Sequence, residues 1–126
     1  MIVGVGIDLT PISRMADAIL RHEGRFEAKL FTDGERADSR AGALPAQHYA
    51  ARFAAKEAAC KACPALRGQR WHDVEIVREP DGKPRLRLHG AAAEAAARAG
   101  VARMHVSLSH AADSAIAMVV AEGPEA

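Results

Sequence analysis

The chain opens on a strict alternation: Val3, Val5, Ile7 and Leu9 are apolar, while Gly4, Gly6 and Asp8 between them are small or charged. A period of two predicts a β-strand over Ile2 to Leu9 with one greasy face and one nearly bare face. Glycine inside a strand weakens it and marks the close approach of a ligand or another backbone. The bare face therefore leads to a site with Asp8 at its mouth, unless a helix packs tightly over the glycines.

Beyond Leu9 the period lengthens. Thr10 before Pro11 predicts a capped helix start, because proline at the first helical position lacks only a hydrogen that would have no partner there. That helix is expected to reach about His22, with Ile12, Met15, Ile19 and Leu20 apolar and Arg14 and Arg21 pointing elsewhere. A short helix follows around Phe26 to Leu30, and Thr32-Asp33-Gly34-Glu35 has the spacing of a capping box. Residues 38–45 read as a loop. Ala46 to Ala62, alanine-rich and free of proline and glycine, is the longest predicted helix. Trp71 to Val77 and Pro84 to Leu88 read as a hairpin around Pro80-Asp81-Gly82-Lys83. Gly90 to Ala99 reads as a small helix, and Met104 to Ser109 and Ala115 to Ala121 as final strands joined by the turn His110 to Ser114. This order predicts an α+β fold, a small antiparallel sheet with helices packed on one side. We expect one domain over residues 1–122 and a frayed tail over 123–126.

Composition then removes several function classes. The 126 residues carry a net charge of only +1, built from many charges of both signs, so there is no basic stripe of the kind that binds nucleic acid by counterion release. No apolar run approaches the roughly 20 residues of a bilayer span. Met1-Ile2-Val3-Gly4 opens a strand rather than a basic leader, so the expected location is cytoplasmic, with no membrane partner. Cys60 and Cys63 form a C-x-x-C late in a helical segment, with no second pair to complete a zinc site and no helix start to activate a thiol. They are expected to be free thiols.

The remaining polar residues offer chemistry. Phe53, Glu57 and Lys61 follow at i, i+4, so Glu57 and Lys61 share a helix face and form, at the least, an ion pair of about 0.2–0.5 kcal/mol. Arg52 and Lys56 make a second stripe. At roughly 100° per residue Arg52 stands about 140° around the helix from Glu57, so both serve one site only if it wraps the helix or extends to a neighbouring subunit. Asp8 at a strand end and Glu57 in mid-helix are hard oxygen ligands of the sparse kind that suits Mg²⁺, which keeps several waters and completes its shell with substrate phosphates. Lys61 would meet those phosphates as a point charge. Spacing alone does not bring Asp8 to Glu57. His105, Ser107 and Ser109 share one strand face, opposite Val106, Leu108 and His110, and form either a phosphate-binding face or a solvated one. No G-x-S-x-G elbow is present to support a serine nucleophile.

Taken together these segments resemble the holo-acyl-carrier-protein synthase family of 4′-phosphopantetheinyl transferases. The resemblance runs over nearly the whole chain: Ile2 to Asp8, Phe31-Thr32 with Glu35, and Arg52-Phe53-Ala54-Ala55-Lys56-Glu57-Ala58 with Lys61-Ala62. Trp71 with Asp73-Val74-Glu75-Ile76, Gly82-Lys83-Pro84 and His105 to His110 complete it. It implies transfer of the phosphopantetheine arm of coenzyme A to a serine of apo acyl carrier protein, with release of adenosine 3′,5′-bisphosphate, in support of fatty acid biosynthesis. Asp8 and Glu57 would hold Mg²⁺, Lys61 would lie near the pyrophosphate, and Arg52, Gly82, Lys83, Pro84 and His105 would contact the adenosine end. Glu57 or a metal-bound water would take the serine proton. Arg14, Arg21 and Arg25 would dock the acidic carrier protein, and the family is typically homotrimeric with sites between subunits. The chain differs from the family pattern at Cys63-Pro64-Ala65-Leu66-Arg67-Gly68, where a glycine-rich turn is usual, and at Ser114, where an aromatic is common. A non-catalytic CoA- or carrier-binding module, and a relative serving a carrier domain of a larger synthase, are the competing readings.

Overall fold

The computed structural model describes residues 1–125. Along the chain run β1 (Ile2–Pro11), α1 (Ile12–Arg21), α2 (Arg25–Leu30), α3 (Asp33–Ala41), α4 (Pro45–Ala62), β2 (Val74–Arg78), β3 (Pro84–Leu88), α5 (Gly90–Arg98), β4 (Arg103–Ala111) and β5 (Ser114–Glu122). The architecture is α+β, as expected, but its strands divide into two antiparallel sheets, ordered β1-β5-β4 and β2-β3. At the end of the chain the Gly123 N–H donates to the Met1 carbonyl at 2.7 Å. Ala126, the last residue of the expected tail, lies outside the described residues.

The two faces of β1 have opposite fates. A Cβ on Gly4 would sit 1.9 Å from the Ala62 carbonyl oxygen, and one on Gly6 would sit 2.0 Å from that of Ala58. The bare face is thus covered by α4, and only glycine permits the approach. From its side α4 contributes the buried small residues Ala54, Ala55, Ala58, Ala59 and Ala62, so backbone meets backbone with almost nothing between. The greasy face points away from the helix. Val5 and Ile7 are 57% and 59% exposed, with Val3, Leu9 and Met118 beside them, and the register pairs Val5 with Val120 and Ile7 with Met118.

Four local expectations are corrected. Thr10 does not cap α1; it stays in β1, and Pro11 occupies the cap position rather than the first turn. The cap comes from the distant β4–β5 turn, where Asp113 accepts the Ser13 N–H at 2.9 Å and the Ser13 hydroxyl, while its carbonyl accepts the Ile12 N–H at 2.8 Å. Residues 38–45 are not all loop, because α3 continues to Ala41. Its capping box is intact, Ser39 is fully buried, and Asp38 faces Arg52 of α4, so tertiary contact holds a polar segment helical. Trp71 to Asp73 form a 3-10 turn and β2 begins at Val74, since the Trp71 carbonyl is taken by Lys56 Nζ at 2.8 Å instead of by a strand. Leu20, grouped with the apolar stripe of α1, is 80% exposed.

Candidate active site

Asp8 lies on the glycine face of β1, paired with Ala117 in the register. Because α4 rests directly on Gly6, its last turns run alongside the end of the strand. Lys61 reaches across, donating to Asp8 Oδ1 at 3.1 Å and to the Ile7 carbonyl at 2.9 Å. The intrahelical pairing with Glu57 is therefore not formed; the lysine turns to Asp8 instead. The Asp8 side chain is mostly covered and that of Lys61 is half exposed, and a pair this open to water contributes about 1 kcal/mol or less. The other Asp8 oxygen, Oδ2, accepts only a long 3.4 Å bond from the Thr10 hydroxyl. Glu57, half-buried, stands one turn before Lys61 on the same face of α4.

Arg52 lies on the other flank of α4. It is buried, its guanidinium 3.9 Å from Asp38 Oδ2 and donating to the His48 carbonyl at 3.4 Å, while its Nε has no partner. With His48, Arg78, Gly82, Pro84 and Leu108 it lines a groove of about 290 Å³. Gly82 takes φ +88° in the β2–β3 turn, a conformation natural to glycine. Burial, and then Arg52, Arg78 and His110, push the His48 pKa below its ordinary value. No carboxylate lines this groove, which makes it receptive to phosphate. His105 is not in it. That side chain sits on the exposed face of β4, 3.1 Å from Glu122 Oε1, lining an adjoining groove with Pro84 and Arg103. Lys83 is exposed on the turn, and Arg14, Arg21 and Arg25 are exposed on α1 and at the start of α2.

The predicted residues thus gather into two groups. Asp8, Lys61 and Glu57 lie toward β1, whereas Arg52, Gly82, Pro84 and His105 lie toward β4, with β5 between the two strands. Sequence reasoning missed His48 and Arg78 in the groove, and it missed the hub behind the site. Lys56 is fully buried, its ammonium 2.9 Å from Glu35 Oε1 and donating to the carbonyls of Trp71 at 2.8 Å and Val74 at 2.7 Å. Glu35 in turn accepts the Thr32 N–H at 2.9 Å and the Ile76 N–H at 2.8 Å. Burial lowers the Lys56 pKa and Glu35 holds it up. This hub ties α3, α4 and β2 together, and so fixes Arg52 one turn before it and Glu57 directly after it. The basic i, i+4 stripe on an otherwise alanine-rich helix was its one visible signal.

Comparison with known proteins places the fold and the sequence in a family. The model of the 4′-phosphopantetheinyl transferase superfamily matches residues 4–119. A holo-[acyl-carrier-protein] synthase from Desulforudis audaxviator is 46% identical over 125 residues, covering 98% of this chain and 95% of that one. The solved acyl carrier protein synthase of Mycobacterium tuberculosis is 41% identical with a TM-score of 0.76, covering 98% of this chain and all (100%) of its own. The Helicobacter pylori synthase, solved in complex with coenzyme A, gives a TM-score of 0.79 at 26% identity over 94% of this chain and 99% of that one. With the family model spanning nearly the whole chain and full-length relatives near half identity, the chain belongs to the 4′-phosphopantetheinyl transferase superfamily.

Proposed function

We infer that this protein transfers the 4′-phosphopantetheine arm of coenzyme A to a serine of apo acyl carrier protein, leaving adenosine 3′,5′-bisphosphate, as its synthase relatives are named for doing. The observation that carries the mechanistic reading is the Lys61–Asp8 contact at 3.1 Å with Glu57 one helical turn away. In the transfer the serine oxygen bonds to the β-phosphorus while the bond to the bisphosphate breaks, so negative charge grows on the phosphate oxygens and on the leaving group. Lys61, steadied by Asp8, meets that charge. Glu57, or a water held beside it, accepts the serine proton. Arg52, with Gly82, Lys83, Pro84 and His105, holds the adenosine and 3′-phosphate end, and His48 and Arg78 add to the cationic wall.

Asp8 and Glu57 are the residues that would hold Mg²⁺. The fit rests on the chemistry of their hard carboxylate oxygens, of which Asp8 Oδ2 accepts only the long bond from Thr10. When bound, the ion supplies further positive charge to the pyrophosphate oxygens.

Two features support an assembly with composite sites, a homotrimer by family resemblance. The face carrying Val3, Val5, Ile7, Leu9 and Met118 is too apolar and contiguous to remain wet, and Asp8 on β1 and His105 on β4 lie on opposite edges of one sheet. Arg14, Arg21 and Arg25 form the docking patch for the carrier protein, where charge steers encounter more than it adds affinity. The chain works as one domain in the cytoplasm; no helix among the described residues is long and apolar enough to cross a membrane.

The test incubates the protein with CoA, Mg²⁺ and apo carrier protein and follows the mass gain of the phosphopantetheine arm. Asp8→Ala and Glu57→Ala should each abolish most transfer while the circular dichroism spectrum is unchanged. Full activity in either variant removes that residue from the metal site.

A further inference from the structure

His105 is tied to a carboxylate that has no part in the reaction as described so far. In the register of β4 on β5, Arg103 stands directly opposite Glu122, and His105 follows two positions along β4 on the same face. Both side chains converge on one oxygen: Arg103 Nε and His105 Nε2 each lie 3.1 Å from Glu122 Oε1. Paired strands carry all three residues, so the arrangement is held by the sheet rather than by a loop.

The carboxyl is in the right state to hold the ring. The His105 hydrogen bond above all, then Arg103 and the N-terminal amine, keep the Glu122 pKa below its ordinary value. At neutral pH Glu122 is therefore an ionised acceptor with no proton to give, and His105 Nε2 must supply the hydrogen of their bond. Which nitrogen of an imidazole carries the proton is set by the bond its other nitrogen makes; here Glu122 makes that choice. Arg103, on the same oxygen, offsets the negative charge and steadies the carboxylate.

The other side of the ring belongs to the groove. His105 lines the cavity of about 280 Å³ between β3 and β4 together with Pro84, Arg85 and Arg103, and Glu122 is not part of that lining. With Nε2 engaged on β5, Nδ1 is the one ring nitrogen left for a ligand in the groove. A ring held in this way has lost its rotational freedom before the ligand arrives, which removes an ordering cost from binding. We propose that Glu122 is a positioning residue for the adenosine end of CoA, holding His105 by Nε2 so that Nδ1 is presented to the ligand. The proposal rests on the placement of that end at Pro84 and His105 given above.

Calorimetric titration of adenosine 3′,5′-bisphosphate reads the groove separately from the transfer reaction. Glu122→Ala releases the ring and should weaken binding about three- to tenfold, the range of one well-placed hydrogen bond. Glu122→Gln keeps an amide oxygen that accepts the Nε2 hydrogen, and should stay within about twofold of the unsubstituted protein. His105→Ala should weaken binding at least as much as Glu122→Ala, and adding Glu122→Ala to it should change nothing further, since the carboxylate acts only through the ring. In the transfer assay the Glu122→Ala loss should appear as a raised KM for CoA rather than a lowered kcat. The proposal is overturned if Glu122→Ala binds the bisphosphate as tightly as the unsubstituted protein or more tightly, which would make the carboxylate a mere competitor for the cations of the groove. It is equally overturned if Glu122→Gln is as weak as Glu122→Ala. Undiminished binding in His105→Ala, or no binding by the unsubstituted protein, overturns it in a distinguishable way, by removing the adenosine placement on which it rests.

Discussion

Replacing Gly6 by alanine tests the seating of α4 on β1 most directly. The added methyl would lie 2.0 Å from the Ala58 carbonyl oxygen, 2.8 Å from the Ala62 nitrogen and 2.9 Å from Lys61 Cβ. The first two are backbone atoms of one helix, so no side chain can swing aside. Ordinary contact begins near 3.4 Å, and α4 must therefore withdraw by more than an ångström or β1 must bend. Overpacking of this kind costs about 1–3 kcal/mol, and the upper half of that range applies because the obstacle is backbone. For a domain of this size each kcal/mol lowers Tm by roughly 3–6 °C, so the expected loss is about 6–18 °C, measured at fixed protein concentration because the proposed assembly would contribute to stability.

The functional effect should be larger than the thermal one. Withdrawal of α4 carries Lys61 away from Asp8 and the Ile7 carbonyl, contacts now at 3.1 and 2.9 Å, and moves Glu57 with it. A misplacement of about 1 Å is enough to cost on the order of 10²-fold in rate. Steady-state transfer at temperatures well below the variant's own Tm should fall by about that factor, mainly in kcat. A Gly6→Ala protein with an unchanged melting point and full activity would refute the claim that glycine is there to admit the helix.

Three further outcomes follow from the same geometry. Asp113→Ala removes the cap that the β4–β5 turn lends to α1; it should lower stability by about 1 kcal/mol and raise the KM for carrier protein more than that for CoA, read from paired saturation curves. His48 has a depressed pKa among Arg52 and Arg78, so the unfolded chain takes up its proton first and stability falls as pH drops through the ordinary value of 6.5. A phosphate in the groove favours the charged imidazole, so adenosine 3′,5′-bisphosphate should bind more tightly as pH falls through that same region, and His48→Gln should flatten the slope in calorimetry. Val5→Glu places a charge on the exposed greasy face; the chain should stay folded but sediment as a smaller species and lose transfer activity.

What was legible in the sequence was local. The capping box at Thr32 and Glu35 rests on residues three apart and is present as expected, with its bonds at 2.9 and 3.1 Å. The second task of Glu35 was not legible, because Lys56 and Ile76 reach it from distant parts of the chain. The same holds for Asp113, which caps a helix whose first residue is a hundred positions away, while Thr10 offered a nearer and incorrect cap. The faces of β1 were legible as a period of two, but hydropathy alone does not say which is inside when the inner face has no side chains. The angular separation of Arg52 from Glu57 needed only helix geometry, but whether one site wraps the helix or extends to a neighbouring subunit was not legible from it.

The position of Asp8 follows from that inverted strand. Side chains alternate strictly along β1, so a carboxylate meant to meet α4 must share a face with Gly4 and Gly6. A slip of one residue would turn Asp8 onto the greasy face and offer Ile7 to the helix instead. Because α4 can approach only over glycine, the register that places Asp8, the proposed metal ligand, is the same register that permits the closest packing in the fold. Any copy of the chain docking on Val5 and Ile7 then presses β1 from the opposite side, with Asp8 next in sequence to the buried contact. The proposed assembly, the packing and the placement of Asp8 thus depend on one alternating segment, and a substitution that weakens one of them is expected to disturb the other two.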